Sequence, residues 1–208
     1  MPMVKSKSSK RWIEERAKDE YVKRSKEEGY RSRASFKLLE IQKKDRFIKR
    51  GMTVVDLGSA PGGWSQVAKH LVGDQGKVFA SDILPMEPLP GVNFIQGDFT
   101  KKVVLEQLTA EIRGGLVDLV ISDMAPNITG IKAIDQANSI HLAELAFDLS
   151  RSILGEGAYF LVKMFEGEGS EAFKKLLSRE FKRVKTRKPT ASRARSSEFY
   201  LLAEDFRK

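Results

Sequence analysis

The chain has 208 residues, of which 41% are hydrophobic, and it contains no cysteine. This length and composition suit one domain with a packed core, and the lack of cysteine excludes a disulfide framework, a thiolate zinc site and a cysteine nucleophile. His70 and His141 are the two histidines, and they are not spaced as metal ligands. We therefore expect both to be structural or surface residues, and we expect no metal site.

The formal net charge of +9 is concentrated in two segments of the chain. Residues 1–50 contain 17 Lys or Arg and 8 Asp or Glu, which gives +9, so residues 51–208 sum to zero. Within that remainder, residues 181–195 contain seven cations and no acid. Two basic arms around an acidic body can bind a polyanion, because neutralised phosphates release counterions. Solvated helix faces are the alternative explanation.

Residues 11–50 are predicted to form a basic helical segment that packs on the core. Residues 1–10 are polar and basic and lack the apolar run of a signal peptide, so we expect a disordered tail there. A charged helix is predicted from Arg11 to about Glu28, and a second helix from Ser32 as its N-cap residue. No run approaches the roughly 20 apolar residues of a membrane span. The protein is therefore expected to be cytoplasmic, with no membrane partner.

After Gly51, short apolar runs alternate with helical stretches. The runs have the length of buried strands: Thr53–Leu57, Lys77–Ser81, Val92–Gln96, Val117–Ser122 and Ala158–Lys163. The helical stretches are Trp64–Val72, Val103–Ile112, Ser139–Leu154 and Ser170–Glu180. This alternation predicts an α/β fold, a mostly parallel sheet with helices on both faces. Two further strands, Arg183–Arg187 and Glu198–Ala203, complete seven and make the last strand antiparallel, so residues 51–208 are predicted to be the main body of a single domain.

The first predicted strand runs into a glycine-rich loop, Asp56-Leu-Gly-Ser-Ala-Pro-Gly-Gly-Trp64-Ser. In a doubly wound sheet, ligands bind at the carboxyl ends of the strands. Glycines let a backbone approach a ligand closely, and the helix start behind them offers free N–H groups. The loop is neither the Gly-x-Gly-x-x-Gly of nicotinamide enzymes nor a phosphate loop, since no Gly-Lys-Ser/Thr follows.

Aspartates finish four successive predicted strands: Asp56, Asp82, Asp98 and Asp123. A carboxylate at Asp82 can accept hydrogen bonds from both hydroxyls of a ribose, and one at Asp98 can accept a bond from an adenine amino group. Capping of the helices that follow is the alternative role of such aspartates. The four together favour a ligand site at this edge of the sheet.

The same loop, Asp-Leu-Gly-Ser-Ala-Pro-Gly-Gly-Trp-Ser-Gln, resembles the signature of the FtsJ/RrmJ (RlmE) family. Members are Rossmann-like methyltransferases that use S-adenosylmethionine to 2′-O-methylate a uridine ribose of 23S ribosomal RNA. The resemblance runs from about Trp12 to Ala203 and implies the same fold, cofactor and activity. It implies cofactor contacts from Gly62, Gly63 and Trp64 at the methionine part, Asp82 at the ribose, Asp98 at the adenine and Asp123 beside the reacting methyl. A core position is the alternative for the Trp64 side chain.

Lysines and carboxylates are the candidates for catalysis, since no catalytic histidine is evident. A ribose hydroxyl is a poor nucleophile, so an enzyme must align it for in-line attack and remove its proton. Lys163 ends an apolar run, where burial of a lysine is costly without partners. Asp123 and Glu198 are possible partners, and Lys37 interrupts the apolar face of its predicted helix. Taken alone, Lys37 fits a solvated helix position and Glu198 a surface acid.

These residues match the Lys-Asp-Lys-Glu tetrad of the family in four local sequences: Ser-Phe-Lys37-Leu, Ser-Asp123-Met-Ala-Pro, Val-Lys163-Met-Phe and Ser-Ser-Glu198-Phe-Tyr. The resemblance implies that Lys163 accepts the proton of the hydroxyl. It also implies that Asp123 and Glu198 tune and orient Lys163, and that Lys37 helps to place the hydroxyl.

Basic residues near both ends are the predicted phosphate contacts: Lys23, Arg24, Lys26, Arg31, Arg33, Arg193 and Arg195. RNA targets are recognised mostly by shape, by phosphates and by splayed nucleotides, because the major groove of duplex RNA is too deep and narrow to read. The resemblance implies that the partner is 23S ribosomal RNA in the 50S subunit, at a uridine of the peptidyl-transferase A-loop, and a role in ribosome biogenesis. A monomer is expected.

Other functions stay open on the sequence alone. A base N-methyltransferase would carry Asn/Asp-Pro-Pro-aromatic after the fourth strand, and Asp123-Met-Ala-Pro126 has neither the second proline nor the aromatic residue. A 2′-O-methyltransferase of transfer RNA or capped messenger RNA would share the tetrad and differ in its RNA-binding surface. A non-catalytic assembly factor on ribosomal RNA would keep the basic arms without needing a lysine base.

Overall fold

The computed structural model describes residues 19–112, 115–193 and 196–208. The helices in these ranges are α1 Glu20–Glu27, α2 Ala34–Asp45, α3 Gly63–Val72, α4 Lys102–Ile112, α5 Lys132–Ile153 and α6 Ser170–Glu180. The strands are β1 Thr53–Leu57, β2 Lys77–Asp82, β3 Val92–Gln96, β4 Val117–Ser122, β5 Leu154–Phe165, β6 Phe181–Arg187 and β7 Glu198–Phe206. The predicted tail at 1–10, the start of the first predicted helix at 11–18 and Arg195 lie outside the described residues.

The strands form one sheet in the order β3-β2-β1-β4-β5-β7-β6. Pairing is parallel from β3 to β5, and β7 runs antiparallel to both β5 and β6. The predicted fold class, a mostly parallel seven-stranded sheet with an antiparallel last strand, is therefore confirmed. The chain leaves β1 toward β2 on one side and reaches β4 on the other, so a crevice opens where the strand order reverses.

The central strands are mostly apolar because both faces of the sheet are covered. Successive side chains of a strand point to opposite faces, so Val54 packs with residues of α2 and α3, while Val55 packs with residues of α4, α5 and α6. In β4 the same alternation sends Leu119 and Ile121 to the first face and Val120 to the second. Helices on both faces follow from this pattern.

Several element boundaries differ from the predictions. Among the described residues the N-terminal helix covers Glu20–Glu27, where Asp19 has extended backbone angles and caps the helix by accepting a bond from the Tyr21 N–H. The second helix is preceded by Arg33, not Ser32, at the N-cap position, and no side chain caps it. The predicted helix Ser139–Leu154 and strand Ala158–Lys163 both start earlier, at Lys132 and Leu154, because exposed and glycine-containing ends obscure the apolar pattern.

The N-terminal helices are joined to the loop between β6 and β7. Glu40 on α2 accepts hydrogen bonds from the backbone N–H groups of Thr190 (2.6 Å) and Ala191 (2.9 Å). Leu38 and Ile41 are buried in the core cluster that contains Val54. These contacts hold α2 against the carboxyl edge of the sheet, beside the glycine-rich loop.

Candidate active site

A cavity of about 600 Å³ lies at the carboxyl ends of β1, β2, β3 and β4. We call it the first cavity. Its polar lining includes Asp82 at the end of β2, Asp98 just after β3 and Asp123 directly after β4. Other lining residues are Phe99, His141, Leu142 and Leu145. The sequence pattern did not connect His141 with this site, since α5 carries it far along the chain from the strand ends.

The two carboxylates predicted to bind the nucleoside are oriented by neutral donors. Asp82 accepts bonds from the N–H groups of Ala60 and Leu84, both at 2.8 Å. Asp98 accepts bonds from Thr100 Oγ1 (2.6 Å) and the Thr100 N–H (2.9 Å). Side-chain and backbone bonds from Thr100 lower the pKa of Asp98, so it stays an ionised acceptor. Apolar walls and two carboxylates with spare lone pairs fit an adenosine-containing ligand.

The glycines of the loop are required by neighbouring protein atoms. A Cβ on Gly58 would lie 2.2 Å from Met124 Cγ, and a Cβ on Gly63 would lie 2.2 Å from Ser32 Oγ. Gly62 has a positive φ of 103°, which favours glycine. Helix α3 starts at Gly63, and the N–H groups of a first helical turn have no intrahelical partners. They are suited to an anion such as a carboxylate.

The side chain of Trp64 belongs to the core rather than to the first cavity. It is 3% exposed, and its indole N–H donates to the Ala34 carbonyl of α2 at 2.8 Å. Its ring lies 5.6 Å from the ring of Tyr200 on β7. The Trp64 side chain therefore has a core position, the alternative to a cofactor contact. Only the backbone of Trp64 is left for the predicted contact with the cofactor.

Asp56 lies beneath the loop as a fully buried carboxyl. Its Oδ2 accepts a bond from Ser65 Oγ at 2.6 Å. Its Oδ1 has no hydrogen-bond partner among the described residues. Burial, with smaller contributions from the nearby Asp123 and Asp82, raises the pKa of Asp56 to about 7 against the opposing effect of the Ser65 bond. The sequence pattern showed that an acid stands here but not that it is enclosed.

The four residues of the predicted tetrad form two ion pairs. Lys163 Nζ lies 3.0 Å from Asp123 Oδ1 and also donates to the Asp123 carbonyl. Lys37 Nζ lies 2.6 Å from Glu198 Oε1. All four side chains are largely buried, with between 6% and 16% of each exposed. Asp123 lines the first cavity, so one pair adjoins that cavity directly.

Sheet register explains why these residues meet. Lys163 on β5 is paired with Tyr200 on β7, and Glu198 is paired with Phe165. Residues two apart share a face of a strand, so Glu198, Tyr200 and Lys163 project from the same face. Tyr200 packs in the cluster formed with α2 and α3. Lys37 on α2 is therefore on the correct side of the sheet to reach Glu198.

Tyr200 connects the two pairs and was missed at the sequence level. Its hydroxyl donates to Asp123 Oδ1 at 2.7 Å, and its ring centroid lies 5.9 Å from Lys37 Nζ. Burial, with Asp123 and Glu198 close by, raises the pKa of Tyr200 well above its usual value, so the phenol remains a donor. Burial alone would raise the pKa of Asp123, but Lys163 and Lys37 outweigh it and lower that pKa. The alternation Glu198-Phe-Tyr200 was the available signal.

The predicted RNA contacts on α1 remain at the surface. Lys23 and Lys26 are exposed. Arg24 is bonded to Glu28 at 2.9 Å and lies 4.4 Å above the ring of Phe36. The structure therefore leaves two of these three cations facing solvent.

The predicted contacts nearer the site are engaged with protein groups. Arg31 donates to the carbonyls of Glu87 (2.6 Å), Pro88 (2.7 Å) and Pro61 (3.3 Å), which ties the glycine-rich loop to the segment after β2. Arg33 is largely buried and bonded to Asp19 and to the Ala191 carbonyl. Arg193 Nε lies 3.7 Å from Asp19 Oδ2, and 36% of its side chain is exposed. The Arg193 side chain is more exposed than that of Arg33, of which 17% is exposed.

The described ranges contain neither a cluster of metal-ligating side chains nor a helix able to span a membrane. No group of three or more His, Asp or Glu side chains there is arranged to hold a metal ion. None of the helices α1 to α6 combines the length and apolar character needed to cross a membrane.

Comparison with known proteins identifies relatives along nearly the whole chain. A family model described as FtsJ-like methyltransferase matches residues 30–206. The chain is 59% identical over 201 residues to the ribosomal RNA large subunit methyltransferase E of Chromohalobacter salexigens, covering 97% of this chain and 96% of that protein. It is 54% identical over 205 residues to the protein of the same name from Pseudomonas aeruginosa, covering 99% of each. A crystal structure of a Plasmodium falciparum protein assigned as a ribosomal RNA methyltransferase superposes with a TM-score of 0.76 at 31% identity, covering 85% of this chain and 98% of that one.

Proposed function

The chain belongs to the FtsJ-like methyltransferase family, and on that premise we propose that it transfers the methyl group of S-adenosylmethionine to the 2′-hydroxyl of a uridine in 23S ribosomal RNA. The observation that carries the proposal is the position of the Lys163–Asp123 pair. It lies between the first cavity, which fits the cofactor, and the Lys37–Glu198 pair. We further propose that residues 51–208 are the methyltransferase domain, with residues 11–50 packed on it.

The residues that would hold the cofactor are those of the first cavity and the start of α3. Asp82 would accept bonds from the ribose hydroxyls, and Asp98 from the adenine amino group. Backbone N–H groups at Gly63 and Trp64 would face the methionine carboxylate. When bound, S-adenosylmethionine supplies a methyl group on a sulfonium, whose departing part is a neutral thioether. Asp123, held ionised by Lys163 and Lys37, would lie beside that positively charged sulfur.

Lys163 is proposed as the proton acceptor. The 2′-hydroxyl would be aligned against Lys163 Nζ. The amine would first have to give up its own proton to solvent, and its lone pair would then take the hydroxyl proton as the new oxygen–carbon bond forms and the donor's carbon–sulfur bond breaks. Positive charge then grows on Lys163, where the Asp123 carboxylate at 3.0 Å stabilises it. Tyr200 fixes the orientation of Asp123 through its 2.7 Å hydrogen bond. Lys37 and Glu198 would position the hydroxyl from the other side.

The choice of RNA rests on the relatives, which are named as large-subunit ribosomal RNA methyltransferases. Exposed cations on α1 and Arg193 support a polyanion as partner. The 50S subunit, at the A-loop uridine, is the proposed substrate, with action in the cytoplasm as a monomer.

The test is methylation with labelled S-adenosylmethionine in four parallel reactions containing 50S subunits, naked ribosomal RNA, transfer RNA or capped RNA. The modified position is then mapped on each labelled RNA. We expect label on one uridine ribose of 23S ribosomal RNA. Label on transfer RNA or capped RNA alone would replace the proposed substrate, and label on a base would replace the proposed reaction. Cofactor binding without transfer to any RNA would favour a non-catalytic assembly factor.

A further inference from the structure

A second cavity, of about 460 Å³, opens beside the Lys37–Glu198 pair. Arg33 and Arg193 also line it, together with Ile128 from the loop between β4 and α5. The volume is within the range of roughly 300–1,000 Å³ that small-ligand pockets occupy. The cavity shares the Lys37–Glu198 pair with the proposed catalytic centre, so a ligand in it would be close to that centre.

The charge of this cavity suits an anionic ligand. Three of its lining side chains are cations, namely Lys37, Arg33 and Arg193, and Glu198 is a lining carboxylate. Asp19 neutralises part of this charge through Arg33 and lies 3.7 Å from Arg193. Arginine guanidinium groups form strong hydrogen bonds with phosphate oxygens. One nucleotide with a flanking phosphate matches this distribution, with the phosphate at Arg193, the more exposed arginine, and the ribose at the Lys37–Glu198 pair.

Ile128 is the large apolar residue of this lining, and 65% of its surface is exposed. The loop that carries it is anchored on its far side by Asp135 of α5. Asp135 accepts bonds from Thr129 N–H (2.8 Å), Thr129 Oγ1 (2.8 Å) and Gly130 N–H (3.2 Å). These bonds, led by that from the Thr129 backbone, lower the pKa of Asp135 and keep the anchor ionised. The backbone that directly follows Ile128 is thus anchored, and the isoleucine lies at the mouth of the cavity.

A nucleotide turned out of its helix needs a surface against which its base can pack. Proteins usually provide an aromatic ring or an arginine guanidinium plane. No aromatic side chain lines the second cavity among the described residues. The aliphatic face of Ile128 and the guanidinium of Arg193 are the available surfaces.

We propose that the second cavity receives the acceptor nucleotide and that Ile128 is a positioning residue that packs against its base. This assignment rests on the proposed function and adds to it the site of the acceptor and a residue that holds it. Ile128 lines the second cavity but not the first. Its replacement should therefore affect the RNA and not the cofactor.

The test compares Ile128→Ala and Ile128→Leu with Val103→Ala, a control on α4 where the valine is 74% exposed and lines neither cavity. Steady-state methylation of the RNA accepted by the wild type is measured together with the dissociation constant for S-adenosylmethionine. We expect Ile128→Ala to raise KM for RNA about tenfold, as for loss of a base-packing side chain. Ile128→Leu should stay within about threefold because it keeps the aliphatic surface. Cofactor affinity should be unchanged in every variant.

A second variant tests the anchor. Asp135→Ala should raise KM for RNA in the same direction as Ile128→Ala, and the double variant should add little further loss, because both changes remove one contact. If the wild type is active and Ile128→Ala has the same KM for RNA as Val103→Ala, the cavity assignment is overturned. The proposed function is unaffected by that result. A wild type inactive on every RNA would overturn the proposed function and the assignment with it.

Discussion

Carboxylates at the first cavity and carboxylates beside the β6–β7 hairpin have different partners. Asp82 and Asp98 accept bonds from backbone N–H groups and a threonine hydroxyl. Beside the hairpin, Asp45 is bonded to Lys185 and Arg187, and Glu204 to Lys185 and Arg183, at 2.6 to 3.2 Å. Neutral donors orient a carboxylate and leave its charge available, whereas cations neutralise it.

This difference separates carboxylates that can serve a ligand from those that stabilise the fold. Asp45 is 3% exposed, and its bonds from Arg187 and Lys185 outweigh burial and lower its pKa. Asp123 belongs to both groups of carboxylates, because it lines the first cavity and is also paired with the cation Lys163. Substitutions at the first cavity should therefore change cofactor affinity, and substitutions beside the β6–β7 hairpin should change the free energy of unfolding.

The largest effect is expected at Lys163, the partner of Asp123. Lys163→Ala should lower kcat by about 10²–10⁴-fold, because it removes the proposed proton acceptor. The dissociation constant for S-adenosylmethionine, measured by calorimetry, should change by no more than a few fold. Lys182→Ala, which removes an exposed lysine paired with Asp205, is the control. A variant with wild-type kcat would remove Lys163 from the mechanism.

Asp56→Asn tests a fully buried carboxyl that has no cationic partner among the described residues. The folded state holds the Asp56 proton up to a pH of about 7, while the unfolded carboxyl releases it near its usual pKa of 3.8. Its contribution to the free energy of unfolding is therefore fully present below about pH 4 and lost as the pH rises to 7, by an amount on the order of 2–4 kcal/mol. Urea titrations from pH 4 to 8 should show this decline in the wild type and much less of it in the variant. Equal pH profiles in the wild type and Asp56→Asn would contradict this prediction. Asp74→Asn, at an exposed aspartate, is the control.

Asp82→Ala tests the ligand side of the contrast. Loss of bonds to a carboxylate costs about 1.5–3 kcal/mol, so the affinity for S-adenosylmethionine should fall about ten- to hundredfold. The thermal midpoint should change little by comparison. Glu111→Ala on the exposed side of α4 serves as the control. Unchanged affinity in Asp82→Ala would separate Asp82 from the cofactor.

Asp45→Asn tests the structural side and should have the smallest effect of the four. The change weakens the bonds from Lys185 and Arg187, and we expect the free energy of unfolding to fall by about 1–2 kcal/mol. Cofactor affinity should not change. Asp205→Asn, in the exposed pair with Lys182, should cost less than about 0.5 kcal/mol. Equal losses in both variants would show that burial of the pair is unimportant.

Much of the fold could be predicted because parallel strands covered on both faces leave continuous apolar runs. The predicted boundaries were wrong where the pattern of apolar residues was weak, as at Lys132, where α5 begins, and Leu154, where β5 begins. The basic segment 181–195 has fewer unpaired cations in the structure than its sequence suggests. Arg183, Lys185 and Arg187 are paired with Asp45 and Glu204. Counting charge along the chain therefore overstates the cations free for RNA.

Sequence alone determined the family, the strand-ending aspartates and the identities of the four candidate catalytic residues, since each depends on a short local motif. Tertiary structure decided that Lys163 pairs with Asp123 and Lys37 with Glu198, that Tyr200 joins them, and that Trp64 packs in the core. Those outcomes depend on the register of β5 with β7 and on how α2 packs against the sheet. Contacts between residues far apart in the chain depend on that packing, and local sequence pattern does not encode them.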